Sequence, residues 1–456
     1  MNAAIIAIRR NIRLILFLAL GSLLFVSSAF AQDDGLLPAI LEQSKMEGYL
    51  HTIDDKTVVA VTSKALANRK KLAAETVLQL LYARAQANLA LKDFESARKD
   101  ADEVCAKRPD DAEARYLRSY VLLELDLLKD AWADAEAAVK LRPRSAKMHN
   151  MLAILLMAKG RLESACEVLE RSGKLDPGFA WNYFALAEIM CDRDPSLCLE
   201  AINKYFELCP GVLGPMAARG YYMKGFSLSL LNRHRESLAC FVAAQKIEPK
   251  NVRTNEELAL AYLELEKYQL AARQAENCVA LDPRRPAGYS YSAMAYSKIG
   301  NTAKAKAMVE KAVALSENDQ SFLCSLGDIH GCIGDFDAAL KYYDKAIARS
   351  PGHFLATVKK ASLLATCPDP LLRDGRKAVK LAESALSAER TRDWQKWRPL
   401  MALAEARAEC GDFAKAAELA RSAIMRAGSE FGHRELFMEK AALFEKKMPY
   451  RLKSAK

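Results

Sequence analysis

The residues of this chain that could most readily do chemistry are its eleven cysteines and six histidines, and their spacing predicts no reactive site. A structural zinc ion needs four Cys or His ligands, usually supplied in closely spaced pairs such as Cys-x-x-Cys. No Cys-x-x-Cys occurs, the number of cysteines is odd, and the histidines are scattered along the chain. The sequence therefore predicts no metal site, and nothing in it favours a Cys/His nucleophile.

Most of the cysteines fall at positions typical of a buried helix face, where Cys behaves as a small apolar residue. This interpretation is favoured over a disulfide framework. Cys324 and Cys332 lie two turns apart on one predicted helix, roughly 12 Å by helix rise, so they cannot bond to each other. If disulfides form, we expect them among Cys191, Cys198 and Cys209.

Three carboxylates, Glu188, Asp192 and Asp328, are the candidates for acid–base chemistry in a hydrolase or transferase. None lies in a known catalytic pattern. His-Glu-x-x-His, Gly-x-x-x-x-Gly-Lys, Gly-x-Gly-x-x-Gly and Gly-x-Ser-x-Gly are all missing from the sequence. We therefore predict a protein that is not an enzyme and uses no cofactor, with catalysis by these carboxylates as an alternative.

Pairs of short helices must position all of these residues, and the stretch Asn318–Pro351 shows the pattern best. Apolar residues recur at i, i+3 or i+4 and i+7 in two runs, which predicts two antiparallel amphipathic helices. Gly334 separates the runs and can adopt the left-handed conformation that ends a helix. Gly327 and Ala339 leave room for the two helices to approach closely, and Pro351 ends the unit.

The same pattern recurs along most of the chain, with small residues at the positions of Gly327 and Ala339. The unit-ending prolines keep a 34-residue period: Pro109, Pro143 and Pro177, then Pro249 and Pro283, then Pro351 after 68 residues. This pattern of small, aromatic, small and proline positions resembles the tetratricopeptide repeat (TPR). The resemblance implies an all-α fold, a TPR α-solenoid in which helix-turn-helix repeats form a right-handed superhelix with a concave groove.

This register divides the chain into a signal peptide, ten repeats and two caps. The predicted segments are 1–31, signal peptide; 32–77, N-terminal cap or degenerate repeat; 78–179, repeats 1–3; 180–217, irregular repeat 4; 218–353, repeats 5–8; 354–396, TPR-like repeat 9 with an insertion; 397–430, repeat 10; and 431–456, C-terminal capping helix. The extra residues of repeat 4 are expected in its loops, where a solenoid tolerates them.

The first 31 residues have the organisation of a secretory signal peptide. Arg9, Arg10 and Arg13 are followed by the apolar run Leu14–Val26 and by an A-x-A cleavage site at Ala29–Ala31. We expect export from a bacterial cytoplasm to the periplasm or the medium. The alternative is an N-terminally anchored inner-membrane protein, and we expect no membrane span in the mature chain.

The charge of the chain is mild for its length. Its formal net charge is +10 and falls to +7 without the signal segment, which holds three arginines and no acidic residue. Basic and acidic side chains are interspersed along the helix faces, which indicates a solvated surface. We therefore expect no nucleic-acid partner.

In TPR proteins the first helix of each repeat lines the concave groove, and this implies a set of candidate ligand-binding residues. They are Tyr82, Gln86, Tyr116, Tyr120, Asn150, Trp181, Phe184, Arg219, Tyr222, Phe226 and Arg253. Many are aromatic, and aromatic rings supply a large contact area at low entropic cost. An aromatic stripe at helical spacing is also typical of a packed core, so packing against neighbouring helices is the alternative.

The resemblance implies a scaffold or adaptor that binds a peptide or protein segment in the groove. Tyr82 and Gln86 occupy the positions where chaperone-binding TPR domains have the Lys and Asn of their carboxylate clamp, so an acidic C-terminal chaperone peptide is not expected. The alternative is a structural role in the cell envelope, with self-association into a homo-oligomer through the ends of the solenoid.

Overall fold

The computed structural model describes residues 54–316, 322–388, 395–427 and 434–452. Within these ranges the chain is built from α-helices and contains no strand. The helices are α1 Asp55–Ala67, α2 Ala74–Ala90, α3 Phe94–Lys107, α4 Ala112–Glu124, α5 Leu128–Leu141, α6 Ala146–Ala158, α7 Leu162–Leu175, α8 Ala180–Met190, α9 Pro195–Leu208, α10 Gly214–Leu230, α11 His234–Ile247, α12 Val252–Glu264, α13 Tyr268–Leu281, α14 Pro286–Ile299, α15 Thr302–Ser316, α16 Leu323–Cys332, α17 Phe336–Arg349, α18 Phe354–Thr366, α19 Gly375–Ser387, α20 Trp397–Glu409, α21 Phe413–Ala427 and α22 Arg434–Glu445.

These helices pack as the successive pairs that the sequence predicts, which confirms the all-α helix-pair fold. The predicted signal peptide and the start of the predicted N-terminal cap lie outside the described residues. Among the residues that are described, none of the helices combines the length and apolar character needed to cross a bilayer.

Short polar side chains set the start of many helices. Asp335 accepts a hydrogen bond from the backbone N–H of Ala338 at 3.2 Å, and Asp93 accepts one from Ser96 at 3.1 Å. Such N-caps satisfy backbone donors that have no partner inside the helix. The sequence therefore specifies not only the pairs of helices but also where the second helix of a pair begins.

A residue with positive φ lies in the turn between the two helices of most pairs. These residues are Lys92 (φ 64°), Asp126 (60°), Gly160 (73°), Asn232 (62°), Glu266 (57°), Gly300 (86°), Gly334 (83°) and Gly411 (85°). Gly334 thus has the left-handed conformation that the sequence predicts for it. Lys92, Asp126, Asn232 and Glu266 adopt the same conformation although they are not glycine. In these four turns, packing of the helix pair overrides the local preference for glycine.

Small residues lie where the two helices of a pair meet. Ala271, Ala305 and Ala339 are fully buried. Where serine replaces alanine at such a position, its hydroxyl donates to the facing backbone: Ser119 Oγ to Ala131 O at 2.7 Å, and Ser237 Oγ to Gly225 O at 2.8 Å. A small polar side chain is therefore tolerated because its hydrogen bond is satisfied across the contact.

The chain divides into two compact units, Met1–Lys224 and Gly225–Lys456. In the first unit the largest buried side chains are Tyr120, Phe184 and Tyr205. The rings of Phe184 and Tyr205 make an edge contact with centroids 4.9 Å apart. This aromatic cluster fills the space between α8 and α9, which belong to the irregular fourth repeat.

In the second unit the C-terminal helix is held by a buried ion pair. Lys440 on α22 donates to Glu405 on α20, and Ser362 on α18 donates to the other oxygen of the same carboxylate. The tail after α22 returns to α18, where the N–H of Leu452 donates to Thr366 O at 2.9 Å. These contacts attach the C-terminal segment to α18 and α20, and its role as a capping helix stays a prediction.

Candidate functional site

Several predicted ligand-binding residues keep part of their surface open to solvent. Tyr82 and Gln86 on α2, Tyr116 on α4 and Trp181 on α8 are half-buried residues of the first unit. Tyr82 and Tyr116 also pack against buried residues of neighbouring helices. A rigid, partly exposed ring is well suited to contact a ligand because little conformational entropy is lost on binding.

A cation lies over the ring of Tyr116 and is fixed by a carboxylate. Lys147 Nζ is 4.6 Å from the centroid of the Tyr116 ring and 2.6 Å from Glu113 Oε2. The other oxygen of Glu113 accepts a hydrogen bond from Arg142 Nη1 at 2.8 Å. The arrangement joins α4 to α6, and it holds the ring and its polar neighbours in one defined geometry.

The same arrangement of carboxylate, cation and ring occurs again at Tyr222. Arg219 donates two hydrogen bonds of 2.7 Å to the carboxylate oxygens of Glu188, and its guanidinium carbon is 5.2 Å from the Tyr222 ring centroid. The side chains of Arg219 and Glu188 are only 13% and 4% exposed. Burial is the largest single influence on the pKa of Arg219 and lowers it, but the charge and hydrogen bonds of Glu188, with smaller contributions from Cys191 and Tyr222, together raise the pKa. Two Glu–cation–Tyr clusters are therefore part of the first unit.

Glu188, one of the carboxylates that the sequence leaves open for acid–base chemistry, is held by Arg219. Both of its oxygens are occupied by Arg219. Asp328 in the second unit is likewise engaged, because Tyr343 Oη donates to it at 2.8 Å and Lys359 forms an ion pair with it. In this structure both carboxylates are therefore engaged in ion pairs and hydrogen bonds with neighbouring side chains.

Three of the predicted ligand-binding residues are buried in this structure. Phe184 has no exposed surface and Tyr120 is 2% exposed. Asn150 is 5% exposed, and its Nδ2 donates to Asn182 Oδ1 at 3.1 Å. For these three positions, burial favours the alternative interpretation of packing between helices. Position within the repeat fixes the helix face but not the depth of the side chain.

The last two predicted residues belong to the second unit. Phe226 is half-buried and Arg253 is exposed. Glu257, one turn after Arg253 on α12, has a pKa raised to about 7 because burial disfavours its charged form and Glu256 is close, although Arg253 opposes the shift. This part of α12 therefore combines an exposed arginine with acidic side chains that are buried or half-buried.

Sequence reasoning named Arg219 and Arg253 but missed other basic residues that accompany the aromatic ones. Lys147, the second residue of α6, is not among the predicted residues. Arg219, which is among them, likewise lies in the first part of its helix, α10. Arg398 at the start of α20 was also missed. Burial lowers the pKa of Arg398, while Glu264 and Asp328 oppose that effect. The available signal was the recurrence of a basic residue at the second position of a repeat.

All eleven cysteines are free thiols, and seven of them are buried. Within the ranges that the structure describes, no group of three His, Cys, Asp or Glu side chains is placed to hold a metal ion. Burial is the main factor that raises the pKa of Cys105, Cys278 and Cys324. These thiols therefore act as small apolar residues of the helix contacts.

Family models match the chain over four segments. Residues 82–135, 128–178 and 292–354 match a tetratricopeptide repeat model, and residues 218–251 match a second one. A curated relative, the BBSome complex member BBS4 of Bos taurus, is 24% identical over 166 residues. That similarity covers 36% of this chain and 32% of the relative, so it spans about a third of the relative's length.

Solved structures with the same type of fold cover more of the chain. Yeast Tom70 is 15% identical, covers 91% of this chain and 97% of its own, and gives a TM-score of 0.43. Pseudomonas aeruginosa pilF is 20% identical, covers 48% of this chain and 98% of its own, and gives a TM-score of 0.36. The matching family models, together with the recurring helix pairs and their 34-residue register, show that this chain belongs to the tetratricopeptide repeat proteins.

Proposed function

We propose that this protein is a non-enzymatic scaffold that binds a peptide or protein segment, and that the first unit supplies the ligand-contacting surface. The observation that carries the proposal is the pair of Glu–cation–Tyr clusters at Tyr116 and Tyr222. Both clusters lie on first helices of repeats, the helices that provide groove residues in this family.

The energetics of the two clusters support binding of an extended chain. The cations fix one face of each ring, so binding a ligand does not require further ordering of these side chains. Arg219 and Glu188 already satisfy each other, and their ion pair is a rigid polar element beside the ring. Partly exposed tyrosines next to satisfied polar groups are typical of the residues that dominate protein–peptide affinity.

A non-catalytic role is consistent with the carboxylates. Glu188 and Asp328 both form ion pairs with neighbouring basic side chains. The cysteines with raised pKa values are poor nucleophiles at neutral pH. A scaffold needs none of these groups to react.

A selection from a displayed random-peptide library tests the proposal directly. The enriched peptide is synthesised, and its affinity is measured by calorimetry for the wild-type protein, Tyr116→Ala and Tyr222→Ala. We expect each substitution to weaken binding about tenfold or more, because a central aromatic contact typically contributes more than 1 kcal/mol.

Tyr183→Ala provides the matched control. Tyr183 is also half-buried, but it is the residue before Phe184 and its hydroxyl donates to Pro177 O at 3.1 Å, on a different face of α8 from Trp181. We expect wild-type affinity for this variant, with circular dichroism confirming that all three variants are folded. Failure to enrich any peptide, or equal affinity for all variants, contradicts the proposed surface.

We also propose that residues 1–31 direct export, so that the scaffold acts in the periplasm or outside the cell. The support is the order of basic, apolar and A-x-A segments in the sequence. Fusion of residues 1–40 to alkaline phosphatase, which is active only after export, provides the test. We expect enzyme activity and cleavage after Ala31; an inactive fusion, or an active fusion that stays uncleaved in the membrane, contradicts it.

A further inference from the structure

The irregular fourth repeat brings two cysteine thiols together. Cys191 is the residue that follows α8, and Cys198 lies in the first turn of α9. Cys198 has a larger effect on the pKa of the Cys191 thiol than any other group, which indicates that the two side chains are direct neighbours across the turn. Cys191 is 9% exposed and Cys198 is fully buried. Each thiol therefore has the other as a direct neighbour in a largely closed site.

The turn between these cysteines is fixed by its own hydrogen bonds. Asp194 N–H donates to Met190 O at 2.8 Å, and Asp194 accepts from the N–H groups of Ser196 and Leu197 at 3.1 Å each. Cys198 N–H donates to Asp194 O at 2.9 Å. Because both ends of the turn are held in this way, the separation of the two thiols is set by the fold and not by a flexible loop.

Geometry also distinguishes this pair from the third cysteine of the repeat. Cys209 follows the last residue of α9, so it lies eleven residues after Cys198, roughly 16 Å along the helix axis. A disulfide requires Cα atoms closer than about 7 Å. Cys209 therefore cannot bond to Cys198 while α9 is intact, which makes it a suitable control.

We propose that Cys191 and Cys198 are a modification site, a dithiol that is converted to an intrachain disulfide by exchange with a low-molecular-weight disulfide of the glutathione type. The bond joins the end of α8 to the start of α9 and locks the turn of the fourth repeat. Glu188, which holds Arg219 in the proposed ligand-binding surface, lies one turn before Cys191 on α8.

The exchange is balanced in two steps. The Cys191 thiol, the more exposed of the two, loses its proton to solvent, attacks one sulfur of the disulfide RSSR and releases RS⁻, which takes up a proton. Cys198 then loses its proton and attacks the Cys191 sulfur of the mixed disulfide, releasing the second thiol. Two protein thiols are oxidised to one disulfide, and RSSR is reduced to two RSH.

The electrostatic surroundings determine how the rate depends on pH. The neighbouring Cys198 thiol and burial raise the pKa of Cys191, and the nearby Arg219 cation partly opposes them. Because the thiolate is the attacking species, we expect disulfide formation to be slow at neutral pH and to accelerate as the pH is raised.

Peptide mapping tests the proposal, because Arg193 lies between the two cysteines and trypsin separates them. The full-length protein is equilibrated with oxidised and reduced glutathione, remaining thiols are alkylated, and the digest is analysed by mass spectrometry. We expect a disulfide-linked pair of peptides, Leu175–Arg193 with Asp194–Lys204, which dithiothreitol separates. Oxidation should also raise the melting temperature, and dithiothreitol should reverse the change.

Single variants provide the controls. Cys198→Ala and Cys191→Ala should abolish both the linked peptides and the oxidation-dependent shift in melting temperature, whereas Cys209→Ala should retain both. Three results overturn the proposal: Cys191 and Cys198 recovered as free thiols, Cys191 trapped as a stable glutathione adduct, or equal linkage to Cys209. The mapping of the wild-type protein gives an answer even if a variant does not fold.

Discussion

Gly327 on α16 lies directly against the ring of Tyr343 on α17. A Cβ atom added to Gly327 would be 2.4 Å from Cε1 of that ring, well inside the closest approach of real carbon atoms. Tyr343 cannot easily move, because it is 5% exposed and its hydroxyl donates to Asp328 at 2.8 Å. The absence of a side chain at residue 327 is therefore what allows an aromatic ring at residue 343.

Substitution of Gly327 by alanine should consequently destabilise the protein. We expect a loss of about 1–3 kcal/mol, because the added methyl group overpacks a fixed ring. Gly331→Ala is the matched control on the same helix, since its nearest neighbour would be Ala339 Cβ at 3.9 Å. Alanine there should be neutral or stabilising by up to about 1 kcal/mol through helix propensity. Urea unfolding of both variants checks the prediction, and equal stabilities would contradict it.

Gly327 illustrates which features could be predicted from sequence. The period of the apolar residues predicts the helix pairs, and the small residues predict where the helices touch, because both follow from geometry that repeats every 34 residues. The left-handed Gly334 follows from the same pattern. These features lie within single repeats and recur in register, so the sequence pattern is sufficient to derive them.

The details of the candidate surface could not be derived in the same way. Phe184 and Tyr116 occupy the same position of their repeats, yet Phe184 is fully buried and Tyr116 is half-buried. Phe184 is enclosed by the rings of Trp181 and Tyr205, which belong to the irregular fourth repeat. The pairing of Glu188 with Arg219 joins residues 31 apart, and such contacts depend on how neighbouring repeats pack.

Replacing Glu266 by glycine should stabilise the protein. Glu266 has φ 57°, a left-handed conformation in which a Cβ atom is unfavourable. Gly300 has the same role in the next turn, with φ 86°. We expect Glu266→Gly to raise the free energy of unfolding by about 0.5–1 kcal/mol and Gly300→Ala to lower it by about 1 kcal/mol. Thermal unfolding of both variants measures the two signs, and a destabilised Glu266→Gly would show that its side chain makes an essential contact.

Loss of Arg219 should be costly because it leaves a buried charge. Glu188 is 4% exposed, so Arg219→Ala should destabilise the protein by about 3–5 kcal/mol. The double variant Glu188→Met/Arg219→Met should lose less, because it removes both charges and fills the volume. Lys415→Ala, which breaks an ion pair of half-exposed side chains, should cost less than about 1 kcal/mol. Denaturant unfolding tests this order of stabilities. A double variant with a lower free energy of unfolding than Arg219→Ala would contradict the prediction.

The raised pKa of Glu257 predicts a pH-dependent stability. Burial, with a contribution from Glu256, raises this pKa from 4.5 to about 7, so the folded state binds the proton more tightly than the unfolded chain does. The resulting stabilisation is present below pH 4.5 and is lost as the pH rises to about 7. Glu257→Gln cannot ionise, so it should be more stable than the wild type at pH 8 and nearly equal at pH 4.5. Because Glu257 keeps some contact with solvent, we expect a difference at pH 8 on the order of 1 kcal/mol.

Melting temperatures from pH 4.5 to 8 provide the measurement, with Glu310→Gln at an exposed position as control. A constant difference across this range would show that the Glu257 carboxyl does not titrate differently in the folded state.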